Sequence, residues 1–243
     1  MGWVSWMAAT FLLTSFIIAL ILVILQHYDI LNVKNLSTLQ SFLIDASMYV
    51  VMFLIVMVLP LHHWRSVNKS KKEVEHSNLK FLLKTVKLNR LPKLVDLRYF
   101  LTDLPIYYVT LLAVSLLATL VIGSGAMNQA QQIGFNSGSS QFSELVVIFL
   151  ALVVVAPFFE EMMMRGFLFG KLRSLSSFWL AAIITSLLFA VAHGQLNVGL
   201  MTFILSMFGC YMTEKTGSIW ASLWLHMTVN FVAFSIRFLG LGS

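Results

Sequence analysis

Charge is what this sequence has least of. Only 11% of its 243 residues are Asp, Glu, Lys or Arg, and 59% are hydrophobic. A soluble domain carries about 25% charged residues. That deficit, with a mean hydropathy of +0.87, argues against a soluble globular protein and places the chain in a bilayer. The length suits one polytopic domain rather than an anchor joined to a separate globular unit. Cysteine occurs once, as Cys210. An intrachain disulfide and a cysteine zinc cluster are therefore excluded, and the residue reads as a small buried apolar one. An HExxH pair, the familiar one-helix zinc signature, is missing. Residues 1–26 carry no charge, so the positive region of a cleavable signal peptide is lacking. Met1-Gly2 is followed by Trp6 where a myristoylation signal wants Ser or Thr. No short-period repeat and no low-complexity linker is present.

The charge that does occur is uneven. Ten of the sixteen Lys and Arg lie between Arg65 and Arg98. Apolar segments flank that run, so positive-inside bias explains it better than a nucleic-acid surface, and no nucleic-acid partner is expected. Taking about 20 residues as one span, seven apolar segments are predicted: 7–26, 42–62, 102–123, 143–172, 178–193, 196–213 and 217–239. The fold class is thus all-α, a polytopic transmembrane helical bundle of about seven spans. Residues 1–142 supply N-terminal spans with a basic cytoplasmic segment at 63–99, and residues 143–239 form the core of one integrated membrane domain. Inside the basic segment, Leu79, Leu82, Leu83 and Val86 follow helical spacing, with Lys80, Lys84, Lys87 and Arg90 at other positions. That pattern predicts an amphipathic helix on an anionic membrane surface, ended by Pro92. Residues 124–142, uncharged and rich in Gly, Ser, Asn and Gln, read as a flexible external loop. A cytoplasmic 63–99 puts Lys171, Arg173 and Lys215 inside as well, with Lys34 the exception.

Segment 143–172 is too long for one straight span: at 1.5 Å per residue it runs roughly 45 Å, against a hydrocarbon core of about 30 Å. Pro157 lies in its middle and should kink or restart the helix, freeing backbone groups just before Glu160.

Three helical pairs stand out in the last third: Glu161 with Arg165, Phe189 with His193, and His226 with Asn230, with Glu160 adjoining the first. An ionisable group at the bilayer centre costs roughly 2.5–3.5 kcal/mol on insertion scales. Glu161 and Arg165, one turn apart with the acid first, suit an ion pair. Glu160 points about 100° away and is expected to be left unneutralised. A carboxylate in an apolar setting holds its proton more tightly, which suits a general base. Each motif alone has a plainer reading: a helix-end charge cluster, an interfacial histidine, an interhelical hydrogen bond. Depth favours a common site. Segments four and five turn near residue 175, which places Glu160 and His193 at similar depth, roughly 20 Å above the turn, with His226 and Asn230 roughly 13–20 Å up.

Such a site can activate water. Glu160, assisted by His193, would take a proton from water, and the hydroxide would attack a peptide carbonyl. His226 and Asn230 could donate hydrogen bonds to the oxyanion. A competing assignment makes Glu160, His193 and His226 ligands of a divalent metal such as zinc, with metal-bound water as nucleophile. A proton-relay transporter is a third use of such residues, though inverted repeats are not detectable.

The pattern EExxxR, then FxxxH, then HxxxN on successive membrane helices resembles the CPBP family, the CAAX-prenyl protease and bacteriocin-processing proteins, also called Abi proteins. It stands here as Glu160-Glu161…Arg165, Phe189…His193 and His226…Asn230, with Ala156-Pro157 before the acids, Gly166 after Arg165, and Gly217-Ser218-Ile219-Trp220 leading into the last motif. The resemblance covers about 143–235. It implies an intramembrane endopeptidase acting on a membrane-associated peptide or protein, in which Glu160 and His193 activate water, His226 and Asn230 form the oxyanion site, and Glu161, Arg165 and Phe189 support them. It further implies a multi-pass protein of a bacterial cell membrane, in contact with lipid and serving peptide or bacteriocin processing or self-immunity. The alternative within the same fold is a non-catalytic membrane scaffold or immunity protein.

Overall fold

The computed structural model describes residues 24, 37–55, 78–129, 131, 135 and 141–239. Among them every regular element is helical; apart from a four-residue helix at Ser124–Met127 these are α1 (Thr38–Phe53), α2 (Asn78–Thr85), α3 (Leu94–Ile122), α4 (Phe142–Leu175), α5 (Phe178–Ala192), α6 (Leu196–Thr216) and α7 (Trp220–Phe238). The chain is an all-α membrane bundle. Helices α3, α4 and α6 are long and apolar enough to cross a membrane, α1 and α5 are apolar but shorter, and α7 falls in neither group. The expected span at 7–26 (apart from Ile24), residues 56–62 of the second span and residues 63–77 of the basic segment lie outside the described residues.

Two compact units divide the chain. One is Met1–Leu82, Gly134–Phe159 and Val229–Ser243; the other is Leu83–Ile133 and Glu160–Thr228.

In the first unit, Ser37 caps α1 by accepting from the Gln40 amide at 3.2 Å, and the Gln40 side chain accepts from the Ser37 amide at 2.9 Å. That reciprocal box satisfies two donors a helix start leaves open. Tyr49 and Phe53 of α1 pack their rings on Phe159. Phe149 meets Phe231 and Phe234 edge-on. Helix α4 stays helical through Pro157, where its winding changes. It winds as a π-helix over Leu150–Val155, where the Ala156 amide bonds back to Ala151 O. In that register the next acceptor is Leu152 O, and Pro157 has no N–H to offer it. Asn230 Nδ2 donates to Leu152 O instead, at 2.8 Å. A side chain from α7 thus supplies the bond that proline withholds, and the helix continues.

In the second unit, α4 winds as a π-helix again over Met162–Phe169, and all eight residues are buried. Phe167, Phe169, Phe189, Met212, Leu223 and Leu225 are at most 2% exposed and form the core with Tyr107 of α3. The outer face of α3 is the reverse: Leu120 and Val121 are 82% and 85% exposed, apolar surface that lipid covers. Helix α5 ends where Gly194 turns left-handed at φ 68, and α6 ends at Gly217 with φ 70. Neither conformation suits a residue with a Cβ.

The basic segment folds differently from the expectation in two respects. The helix expected from 102 already begins at Leu94, inside that segment. Helix α2 is amphipathic, with Lys80 and Lys84 exposed and Leu82 and Leu83 half-buried, but Pro92 does not end it. It ends in a Schellman turn: the Leu88 amide bonds Leu83 O at 2.8 Å and the Lys87 amide bonds Lys84 O at 3.2 Å. Lys87 itself takes the left-handed position, φ 57. Val86 is then buried against Gly166, and the Lys87 carbonyl accepts from Ser218 Oγ at 3.1 Å and the Ile219 amide at 3.4 Å. Arg90 pairs with the fully buried Asp96 and donates to Thr216 O at 2.9 Å, while Trp220 Nε1 donates to Arg90 O at 2.9 Å. The Asp96 bond holds the Arg90 guanidinium above its ordinary pKa. This strap ties the starts of α3 and α7 to the end of α6.

The expected loop after α3 begins as a short anchored helix, Ser124–Met127. Asn197, buried at the start of α6, donates to Met127 O at 3.3 Å and Gln129 O at 2.6 Å. Residues 130, 132–134 and 136–140 of that expected loop lie outside the described residues.

Candidate active site

Glu160, Glu161 and Arg165 come from α4, Phe189 from α5 with His193 capping its end, and His226 from α7. All six fall in the second unit, and an unbroken set of contacts links them. Glu161 and Arg165 form the expected pair, Oε1 to Nη1 at 3.1 Å, both fully buried. The contact is one of charge: none of the three guanidinium nitrogens makes an aligned hydrogen bond. Arg165 lies instead over the face of Phe189, 4.7 Å from the ring centroid. A desolvated cation on an aromatic face gains about 2 kcal/mol.

Glu161 has a second partner. Its Oε1 lies 2.9 Å from His226 Nδ1, and His226 Nε2 lies 3.6 Å from Glu160 Oε2. The expectation of a carboxylate left unpaired is therefore corrected: the imidazole of His226 sits between both acids. The reason is α7, whose approach the sequence does not reveal. A carboxylate beside a guanidinium only accepts, so Nδ1 of His226 is the donor to Glu161. Its Nε2, the nitrogen that exchanges protons, is then turned to Glu160. His193 is fixed similarly. Its Nδ1 lies 2.8 Å from Phe189 O, a carbonyl that only accepts, so Nε2 is left to take a proton. The rings of His193 and His226 both meet Phe189 edge-on, at 4.8 and 5.9 Å. Phe189 thus spaces the two histidines and carries the arginine.

Asn230 falls in the first unit, where one amide proton goes to Leu152 O. Among the described residues no group of three or more His, Cys, Asp or Glu is arranged to hold a metal ion. His226 Nδ1 is taken by Glu161, and its Nε2 lies 3.6 Å from a Glu160 carboxylate oxygen. The set does not fit a zinc site as it stands.

Residues 142–232, which hold all three motifs, match the family model described as Type II CAAX prenyl endopeptidase Rce1-like. That stretch resembles the CPBP family. Among curated proteins this chain is 27% identical over 77 residues to a Bacillus subtilis (strain 168) protein named "Putative membrane peptidase YdiL". The match covers 32% of this chain and 32% of that protein, so the chain spans about a third of the relative it matches. No solved structure matches it.

Two glycines contribute to the site, Gly166 from the context of the first motif and Gly209 from outside all three. Gly166 lets the strap approach: a Cβ there would lie 2.5 Å from Val86 O. Gly209 of α6 lies against the Arg165 guanidinium. Glycine inside an apolar helix was the available clue, since it costs about 1 kcal/mol relative to alanine.

Proposed function

We propose that this chain is an intramembrane endopeptidase that hydrolyses a peptide bond of a membrane-associated peptide or protein. The observation that carries the reading is His226 held between Glu160 and Glu161 among apolar helices. Glu160 takes a proton from water as the hydroxide attacks the substrate carbonyl, with Nε2 of His193 assisting. General-base action of this kind contributes typically 10²–10⁴-fold. The oxyanion takes a hydrogen bond from His226, when its Nε2 is protonated. One donor of this type is worth roughly 10²–10³-fold in kcat. Glu160 then returns its proton to the leaving amine. Glu161, Arg165 and Phe189 keep the imidazoles in place. Residues 143–239 are the catalytic core. The family's description suggests a C-terminal prenylated tail as one substrate class. A bacterial cell-membrane setting and peptide or bacteriocin processing complete the reading.

The test uses purified protein in liposomes with two probes, a farnesylated CAAX peptide and a leader-bearing bacteriocin precursor. Cleavage of either should drop at least about 100-fold in Glu160→Gln and in His193→Ala. Cleavage untouched by both substitutions would remove the assignment. Protection from bacteriocin that survives Glu160→Gln would favour a scaffold. Activity insensitive to prolonged chelation would count against a metal-dependent route.

A further inference from the structure

We propose that Gly209, on α6 and outside the three motifs, is a positioning residue for His226, acting through Arg165 and Glu161. The inference rests on the peptidase reading for its kinetic part and on geometry alone for the rest.

Arg165 is fully buried, yet its guanidinium is held by no aligned hydrogen bond. What holds it is a slot. The Phe189 face lies 4.7 Å from it. The backbone of Gly209 is a second close neighbour: a Cβ built there would come 2.8 Å from Nε, 3.3 Å from Nη2 and 3.4 Å from Cζ. Heavy atoms do not approach a Cβ at 2.8 Å, so any larger residue displaces the head group. An exposed arginine would swing aside at little cost. This one is fully buried between Phe189 and Gly209 and cannot swing into solvent without leaving the core. Gly209 has no need of its own for glycine, because the left-handed glycines among the described residues are Gly123, Gly194 and Gly217. Its helix would gain from alanine. The space for Arg165 is the physical reason for its presence.

The displacement does not stop at Arg165. Glu161 Oε1 is shared by Arg165 Nη1 at 3.1 Å and His226 Nδ1 at 2.9 Å. Moving the cation by a few tenths of an ångström redirects the carboxylate, and with it the hydrogen bond that fixes the His226 tautomer. Outer partners of this sort orient the groups they touch and change activity about 10- to 100-fold when lost. Gly209 touches no substrate atom in this scheme.

The experiment compares wild type, Gly209→Ala and Ser206→Ala in liposomes. Ser206→Ala removes a buried hydroxyl from the same helix as a control for disturbance of α6. Two readouts are taken: steady-state cleavage of a probe peptide, and the ¹⁵N resonances of labelled histidine, with His226 assigned by its loss in His226→Gln. Gly209→Ala should lower kcat about 10- to 100-fold with KM changed less than about 2-fold, and should shift the His226 Nδ1 resonance. Ser206→Ala should leave both unchanged. Wild-type His226 resonances in folded Gly209→Ala would overturn the proposal, whatever the kinetics. If wild type cleaves no peptide, the peptidase reading fails and the resonances still decide on Gly209. If Gly209→Ala does not fold, Gly209→Ala with Arg165→Lys, whose narrower head group leaves room, should restore folding. A double variant that also fails to fold would count against the slot.

Discussion

The Nδ1 nitrogen of His226 lies 2.9 Å from Oε1 of Glu161, although 65 residues separate them. The same oxygen contacts the Arg165 guanidinium at 3.1 Å. Glu161 is thus the hinge between a buried cation and an imidazole, and Glu160 faces the other side of that imidazole. Two adjacent acids have different surroundings, and substitution should separate their roles.

Glu161→Gln should damage both activity and stability. It leaves Arg165 buried without a counter-charge, which costs about 3–5 kcal/mol. Glu160→Gln should abolish cleavage at far smaller cost in stability, because its side chain keeps 16% exposure and strands no fully buried cation. Thermal unfolding and cleavage rate measured together on both variants check this. Equal destabilisation would contradict the division.

Asn230→Ala should destabilise the protein by about 1–3 kcal/mol by stripping the Leu152 carbonyl of its donor. Pro157→Ala supplies a backbone N–H in the same place. In a double-mutant cycle the cost of Asn230→Ala should therefore shrink in the Pro157→Ala background. An additive cycle would show that the two residues do not serve the same carbonyl.

Gly166→Ala places a Cβ 2.5 Å from Val86 O and 2.7 Å from Val86 Cα. These are backbone atoms of the strap and cannot rotate away. Overpacking of this kind costs about 1–3 kcal/mol. Limited proteolysis should open the chain near residues 84–92 sooner than in wild type.

Lys87 holds a left-handed backbone at φ 57, at a cost of roughly 1–2 kcal/mol for a residue with a Cβ. Lys87→Gly relieves it and forgoes the cation contact with Phe169 at 5.3 Å, worth about 0.5–1 kcal/mol. The change in unfolding midpoint should be small. Lys87→Val, β-branched at the same position, should be clearly destabilising.

Burial depresses the Lys87 pKa below its usual 10.5. Between the lowered value and 10.5 the unfolded chain keeps a proton that the folded chain has released. Stability must therefore rise with pH through that window, with the burial penalty fully present below it. Denaturation of wild type minus Lys87→Met across the alkaline range should show that slope. A flat difference would mean the ammonium is not buried when folded.

Much of this protein is legible in its sequence. Runs of apolar residues near 20 long specify helices because a bilayer leaves no other partner for backbone groups. The ends of α3, α4, α5 and α6 follow from where those runs stop and where Gly194 and Gly217 stand. The Glu161–Arg165 pair is also readable, since both ends lie on one helix at a fixed spacing.

What the sequence does not reveal are relationships whose two ends lie on different helices. No local rule says that His226 turns to both Glu160 and Glu161, that Asn230 finds the carbonyl Pro157 leaves open, that a Schellman turn at Lys87 stops α2 before Pro92, or that Gly209 makes room for a guanidinium. Each depends on how far apart two backbones settle and at what rotation. Those quantities are set by packing across the whole core, whereas a helical repeat constrains only neighbours along the same chain.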